Sequence, residues 1–347
     1  MTCSTTPTAA LEPLTFTASP DNQQVLLGSL SDPAHPTTLC TINHGYQARF
    51  ISPTEISYLT NTSSNDPIHG TTQITRMNLT DMTARTVLTV TGDVMDHAWS
   101  PNGSALAYLL YTQDANGAAN QAMLNVSGTE PLVLTRQIPL LGRDGSINDQ
   151  ILVRFSHDGK FVLMVDTWVA GVAPATPLEA AMQVHSVPDA GLVWVPPAAL
   201  AASGKKIAFV TMAAWSHQSD RLLYRDPAGV HAWDPSGTDT TLAAGLAWYS
   251  PSVSPDDRLV AYSVGIEFGG QPHIEVRDLV SGSVKVLPGA LGQPLLLSDD
   301  LLIEAHLAPS QTMGPPFVGT GYFLLKLSTG AEAAIPGFSP PYDVWPR

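Results

Sequence analysis

The stretch AWSPNGSALAYLLY, residues 98–111, decides the fold because it recurs. Variants stand at 49–59 (RFISPTEISYL), 154–165 (RFSHDGKFVLMV), 214–225 (AWSHQSDRLLYR) and 252–264 (SVSPDDRLVAYSV), with a degenerate copy at 296–307 (LLSDDLLIEAHL). Each copy has an apolar strand running into Ser-Pro or Ser-His, then a tight turn rich in Asp, Asn and Gly, then a second apolar strand. Asn102-Gly103 and Asp158-Gly159 are strong hairpin signals, because these residues tolerate positive φ.

Working outward, a third strand follows the hairpin, as in QAMLNV (121–126), HIEVRDL (273–279) and YFLLKLS (322–328). A Ser-Gly or Thr-Gly turn then leads to a fourth: PLVLT (131–135), VKVLP (284–288) or EAAIP (332–336). Four antiparallel strands per repeat of roughly 40–50 residues predict a β-propeller. With the strands lettered A to D, strand A begins near residues 47, 96, 152, 212, 249 and 293. The first repeat starts at strand B with PLTFTA (13–18), continues with QQVLLGSL (23–30) and TTLCTI (37–42), and lacks its own strand A. YDVW (342–345) has the form of that missing strand, so the C-terminal segment is expected to close the ring. Closure removes the exposed sheet edges that invite aggregation. The expectation is an all-β, seven-bladed propeller of four-stranded antiparallel blades, with six blades as the alternative, over residues 13–347. Residues 1–12 are expected to form a flexible tether.

The pattern W/F-S-P/H-D/N-G followed by an apolar Ala-Tyr strand resembles the WD40-like repeats of the TolB propeller. Dipeptidyl-peptidase propellers carry related repeats. The likeness covers nearly the whole chain, and what it implies is the fold rather than an activity. TolB-type proteins carry an α/β domain before a six-bladed ring, whereas here strands begin by about residue 14 and seven repeats are counted. Prolyl peptidases use a nucleophile elbow G-x-S-x-G, and that motif does not occur in the sequence.

Composition narrows the partners. The chain of 347 residues carries 44% hydrophobic and only 13% charged residues, with a formal net charge of −14. Sixteen Lys and Arg spread along an acidic chain cannot form the basic surface that phosphate backbones require, which argues against nucleic acid and anionic membranes. No run of about 18 apolar residues is present to span a bilayer. Two cysteines, Cys3 and Cys40, are too few for a disulfide scaffold or a Cys-rich zinc site. The opening MTCSTTPTAALEP lacks the basic and apolar regions of a signal peptide. It admits two readings: a lipid-bearing Cys3 on a tether, as in mature bacterial lipoproteins, or an irregular start with an incidental thiol. In either case Cys3 and Cys40 are expected to remain unbonded, with Cys40 buried in a strand.

Trp99, Phe155 and Trp215 end A strands and are expected to pack between blades. Asp158, Asp256 and Asp257 sit in the A–B corners, where short side chains bond local backbone. His157 and His217 occupy equivalent corners. His185, His231 and His273 fall in or beside C strands, while His44, His69, His97 and His306 fall nearer the opposite face. No H-E-x-x-H or close His pair is present, so no resident metal is expected, although acidic oxygen ligands could suit calcium.

On a propeller the D–A and B–C loops surround one mouth of the central channel. The D–A segments bring Tyr46, Asp93, Asp96, His97, Arg143, Asp144, Asp149, Trp248, Tyr249, Tyr342 and Asp343 toward that opening. Among the long B–C loops (60–70, 112–120, 167–180 and 306–320), two carry apolar tips at Trp168, Met313 and Phe317. Aromatics beside carboxylates suit a protein, peptide or carbohydrate ligand. The leading expectation is a non-enzymatic, extracytoplasmic binding or scaffold protein. An enzyme of lyase or glycoside hydrolase type at the mouth, and an accessory subunit of a larger complex, are the alternatives.

Overall fold

The computed structural model describes residues 2–3, 13–18, 24–32, 37–43, 45–61, 70–113, 120–127, 132–135, 151–166, 182–187, 192–194, 213–226, 228–246, 248–266, 270–309, 317–335 and 343–345. Within these, the chain is all-β. Strands β1 (Thr2–Cys3), β2 (Leu14–Ala18), β3 (Gln24–Ser29) and β4 (Thr37–Asn43) open it. The first four-stranded sheet follows: β5 (Gly45–Ser52), β6 (Glu55–Asn61), β7 (Thr71–Asn78) and β8 (Ala84–Thr91). The second is β9 (Asp93–Trp99), β10 (Leu106–Gln113), β11 (Asn120–Val126) and β12 (Leu132–Thr135). The third is β13 (Ile151–Phe155), β14 (Phe161–Asp166), β15 (Met182–Ser186) and β16 (Leu192–Trp194). The fourth is β17 (Ala213–Trp215), β18 (Leu222–Asp226), β19 (Gly229–Trp233) and β20 (Asp239–Ala244). The fifth is β21 (Tyr249–Val253), β22 (Leu259–Val264), β23 (His273–Asp278) and β24 (Val284–Leu287). The sixth is β25 (Leu291–Leu296), β26 (Leu301–Pro309), β27 (Phe317–Lys326) and β28 (Ala331–Ala334), and β29 (Asp343–Trp345) ends the series.

Each of the six sheets is an antiparallel meander, the order that short hairpins impose. The expected A strands match β5, β9, β13, β17, β21 and β25 to within a few residues. The remaining sheet has the order β1-β4-β3-β2-β29 and joins the two ends of the chain. Leu14 pairs with Trp345, Thr15 with Val344 and Phe16 with Asp343, so the expected C-terminal closing strand is present.

The repeated corner explains why the hairpins form. Ser100, Ser156 and Ser254 each donate a backbone N–H to the residue five positions on, Ala105, Phe161 and Leu259. Their hydroxyls accept the reverse N–H of those residues and donate to Asn102, Asp158 and Asp256. The following residue must take a left-handed φ, met by Gly103 at 67°, Gly159 at 74° and Asp257 at 59°. Asp serves in place of Gly because its short polar side chain tolerates that region.

Apolar clusters lock successive sheets together. Phe16 meets Phe50 with ring centroids 4.4 Å apart, joining the five-stranded sheet to the first four-stranded one. Leu59 and Ile74 pack with Val94 and Leu110, and Leu109 and Leu124 with Val153 and Val162. Leu163 and Val184 pack with Trp215 and Tyr224. Val230 and Trp248 share a cluster with Tyr262, and that cluster also holds Ile303, Leu324 and Leu30, the residue that follows β3. Each such fully buried side chain contributes about 1.5–3 kcal/mol. As expected, the A-strand aromatics serve these interfaces. Arg76 lies over Trp99 at 4.8 Å, and Trp215 Nε1 donates to the Arg154 carbonyl at 3.2 Å.

The two cysteines require a correction. Cys40 is disulfide-bonded, no cysteine is free among the described residues, and Cys3, the other cysteine of the sequence, is its Cα partner between β1 and β4. Cys3 lies in an edge strand added outside β4, which brings the two Cα atoms into register. A sulfur held in a disulfide cannot also carry a lipid thioether, so the lipid-bearing reading of Cys3 is set aside. No helix among the described residues is long and apolar enough to cross a membrane.

Candidate functional site

The inner strands supply the first wall of the expected mouth. Tyr46 on β5 donates its hydroxyl to Asp93 Oδ1 on β9 at 3.3 Å, and both residues are half-buried. Burial, reinforced by the Asp93 charge, pushes the Tyr46 phenol up to about 12, so it remains a donor through the neutral range. The next residue, Gln47, hydrogen-bonds through Nε2 to the Met95 carbonyl. Gln47, Ser250 and Gln293 all have positive φ (48°, 49° and 52°), and each sits in a register shift near the start of its inner strand. A bulge at this point bends the strand and re-aims its side chains. In the sixth sheet that device sends Gln293 Oε1 to the Tyr322 hydroxyl at 2.7 Å and Gln293 N–H to Ser263 Oγ at 2.9 Å.

Four expected mouth residues are instead part of the packing between sheets. Asp96 is 1% exposed. Its Oδ1 accepts from Arg49 Nη2 at 2.7 Å, and its Oδ2 accepts from Arg154 Nη1 at 2.6 Å and from the Val153 N–H at 3.0 Å. One carboxylate therefore ties together the inner strands β5, β9 and β13. Burial by itself would raise the Asp96 carboxyl, but Arg154 and Arg49 outweigh it and hold the group at about 2. His97 is fully buried, with Nε2 hydrogen-bonded to Ser57 Oγ of the preceding sheet at 2.7 Å. Trp248 and Tyr249 are also buried. Trp248 packs on Tyr262 with centroids 5.1 Å apart. Tyr249 lies beneath Arg225 at 4.9 Å, and the same guanidinium donates to the Trp248 carbonyl at 3.3 Å.

The physical reason is common to all four. An inner strand in a propeller is covered on both faces by neighbouring sheets, so alternation does not turn half of its residues to solvent. Phe317 is corrected in the same way: it begins β27 and lies in the core rather than at an exposed loop tip. Arg143, Asp144, Asp149, Tyr342, Trp168, Met313, His44 and His69 lie outside the described residues, and for Asp343 only the backbone of β29 is described.

The corner residues hold the structural role expected of them, and they reach further than local turns. The Asp257 carboxylate accepts backbone N–H groups of His217 and Gln218, the latter at 2.9 Å. The His217 ring bonds the Val253 carbonyl at 3.1 Å, and Asp158 N–H donates to Asp220 Oδ1 at 2.9 Å. His217 is therefore an inter-sheet contact, whereas His157 is exposed. A groove of about 350 Å³ lies between the fifth and sixth four-stranded sheets, lined in part by Asp278, Lys285, Asp299 and Asp300. It opens on the corner face, away from the expected mouth.

One cluster lies outside the expected site residues. Glu304, His306 and Glu332 come together on the face of the sixth sheet, with one ligand atom from each lying within 4.8 Å of the others. The signal available was the E-x-H spacing in the degenerate repeat, which puts both side chains on one strand face. Glu332 could be added only by the fold.

The described architecture defines a repeat β-propeller with four-stranded antiparallel blades. No protein-family model matches the sequence, and no curated protein sequence matches it. Solved structures do. A protein from Bacteroides uniformis provisionally assigned as a 6-phosphogluconolactonase superposes with a TM-score of 0.55 at 13% identity, covering 96% of this chain and 99% of that one. Sqt1 from Saccharomyces cerevisiae gives 0.53 at 11% identity, covering 91% and 83%. A prolyl endopeptidase also gives 0.53, at 12% identity, and this chain covers 93% of itself but only 50% of that enzyme. TolB from Acinetobacter baumannii is among the matches, at 12% identity and a TM-score of 0.43, covering 92% and 77%. At such identities the three matches with TM-scores above 0.5 show the β-propeller fold and nothing narrower.

Proposed function

We propose that this chain is a seven-bladed, extracytoplasmic propeller that binds a protein, peptide or carbohydrate ligand on its channel-mouth face without transforming it. The five-stranded sheet serves as the seventh blade, with β29 as its inner strand. The carrying observation is the fate of the inner-strand residues with the best credentials for chemistry. Asp96, His97, Trp248 and Tyr249 are buried and bonded between sheets, which is scaffold duty. Recognition then falls to the loops of that face, including Trp168 and Met313, on a rigid support. The Cys3–Cys40 disulfide supports an oxidising compartment, where such bonds persist.

A photo-crosslinker placed at position 168 or 313, compared with one at His157 on the corner face, tests this reading. Specific crosslinks from the first pair, competed by unlabelled protein and absent at 157, are expected. Crosslinks confined to position 157 would place recognition on the wrong face. Turnover of a lactone, glycoside or peptide substrate that survives repurification would overturn the non-enzymatic assignment.

A further inference from the structure

Glu304 and His306 are two residues apart on β26 and project from the same face of the sixth sheet. Glu332, from β28 at the outer edge, completes the group. His306 Nε2 lies 3.1 Å from Glu332 Oε1 and 3.9 Å from Glu304 Oε1. The imidazole stacks on Phe323, with centroids 3.8 Å apart and planes 20° from parallel. That stacking fixes the ring so that Nε2 points at both carboxylates.

Glu304 is the anomaly. It is 1% exposed, and its Oε2 is buried with no hydrogen-bond partner among the described residues. A desolvated carboxylate without compensation is strongly unfavourable. The described residues around it supply no remedy. Leu302 and Leu325 of its own sheet, with Ala261, Ile274, Val276 and Leu287 of the fifth sheet, form an apolar cluster on this interface. Lys285 on β24 of the fifth sheet is bonded to the Leu327 carbonyl. A strand position between Leu302 and His306 would pack better as an apolar residue, so a carboxylate there calls for a positively charged occupant.

We propose that Glu304, His306 and Glu332 form a binding site for a divalent transition-metal cation of the zinc type. One imidazole and two carboxylates match the borderline ligand preference of such ions, whereas calcium and magnesium favour all-oxygen sets. Bonds of about 2.0–2.2 Å in tetrahedral geometry separate ligand atoms by roughly 3.3–3.6 Å. The His306–Glu332 separation is close to that range, and small side-chain rotations bring Glu304 in. Side chains of His306 and Glu332 are each 36% exposed, leaving an entry path and room for water as the fourth ligand. The cation would neutralise both carboxylates and tie the edge strand β28 to β26.

Isothermal titration of chelator-stripped protein with Zn²⁺ near neutral pH tests the proposal, alongside H306Q, E332Q and E304Q. The expected result is one zinc per chain at about micromolar Kd or tighter. H306Q and E332Q, both at partly exposed positions, should keep the circular dichroism spectrum and weaken that binding at least about tenfold. E304Q should melt no lower than wild type without zinc, because it removes a buried charge, and should lose the zinc-induced rise in Tm. Undiminished affinity in H306Q and E332Q would put the zinc elsewhere and overturn the site. So would the lack of saturable binding below about millimolar zinc, or Ca²⁺ binding more tightly than Zn²⁺.

Discussion

Replacing Asp96 by Asn keeps the shape of the side chain and its acceptor for the Val153 N–H, and removes the charge that two arginines share. The cost can be worked from the structure. Moving the Asp96 carboxyl from 3.8 to about 2 corresponds to about 2 kcal/mol favouring the ionised form. The group is fully buried, so solvent screening takes little from this figure. D96N mimics the neutral form and should lose at least about 2 kcal/mol, approaching 3–5 kcal/mol where Arg49, also buried, is left uncompensated. For a chain of this length, about 2 kcal/mol lowers Tm by about 3 °C.

The assay is urea unfolding at constant m-value, with D96N, R49M and the double variant in a cycle. A coupling of at least about 1 kcal/mol between Asp96 and Arg49 is expected. Because the folded carboxyl is depressed, its stabilisation is present above the unfolded value near 4 and disappears as pH falls toward about 2. The acid limb of wild-type stability should therefore be shallower in D96N across that interval. A D96N cost below about 0.5 kcal/mol with no coupling would refute the buried network, since surface substitutions typically fall in that range.

Two further outcomes concern the ends of the chain. Deleting residues 343–347 removes β29 and bares the β2 edge, so Tm should drop by at least about 3 °C and aggregation increase, both visible by scanning calorimetry with light scattering; a midpoint within a degree of full length would show that β29 does not close the ring. Thiol titration in denaturant should find no free cysteine before reduction and two after it, and C3S/C40S should be less stable by about 4 kcal/mol, the chain-entropy value for a loop of about 38 residues; a reactive thiol in the unreduced protein would contradict the bridge.

The sequence by itself determined the repeat. Ser100, Ser156 and Ser254 with their Asx and left-handed partners encode the corner locally, within five residues, so hairpin after hairpin is legible in one dimension. The missing A strand at the start and YDVW at the end likewise announced the closure by β29. Tertiary structure decided what the polar and aromatic residues of the inner strands do. Asp96 meets Arg49 and Arg154 across separations of 47 and 58 residues, and His97 meets Ser57 across 40. No local pattern encodes such pairings. The D–A segments point toward the mouth in sequence, but the start of an inner strand wedged between two sheets has no solvated face, so Trp248 and Tyr249 lie in the core. Glu304 is the reverse case. Its strand placement was readable, but only the packing of the sixth sheet, with Phe323 beneath His306 and Glu332 brought over from the edge, turns a buried charge into a candidate metal ligand.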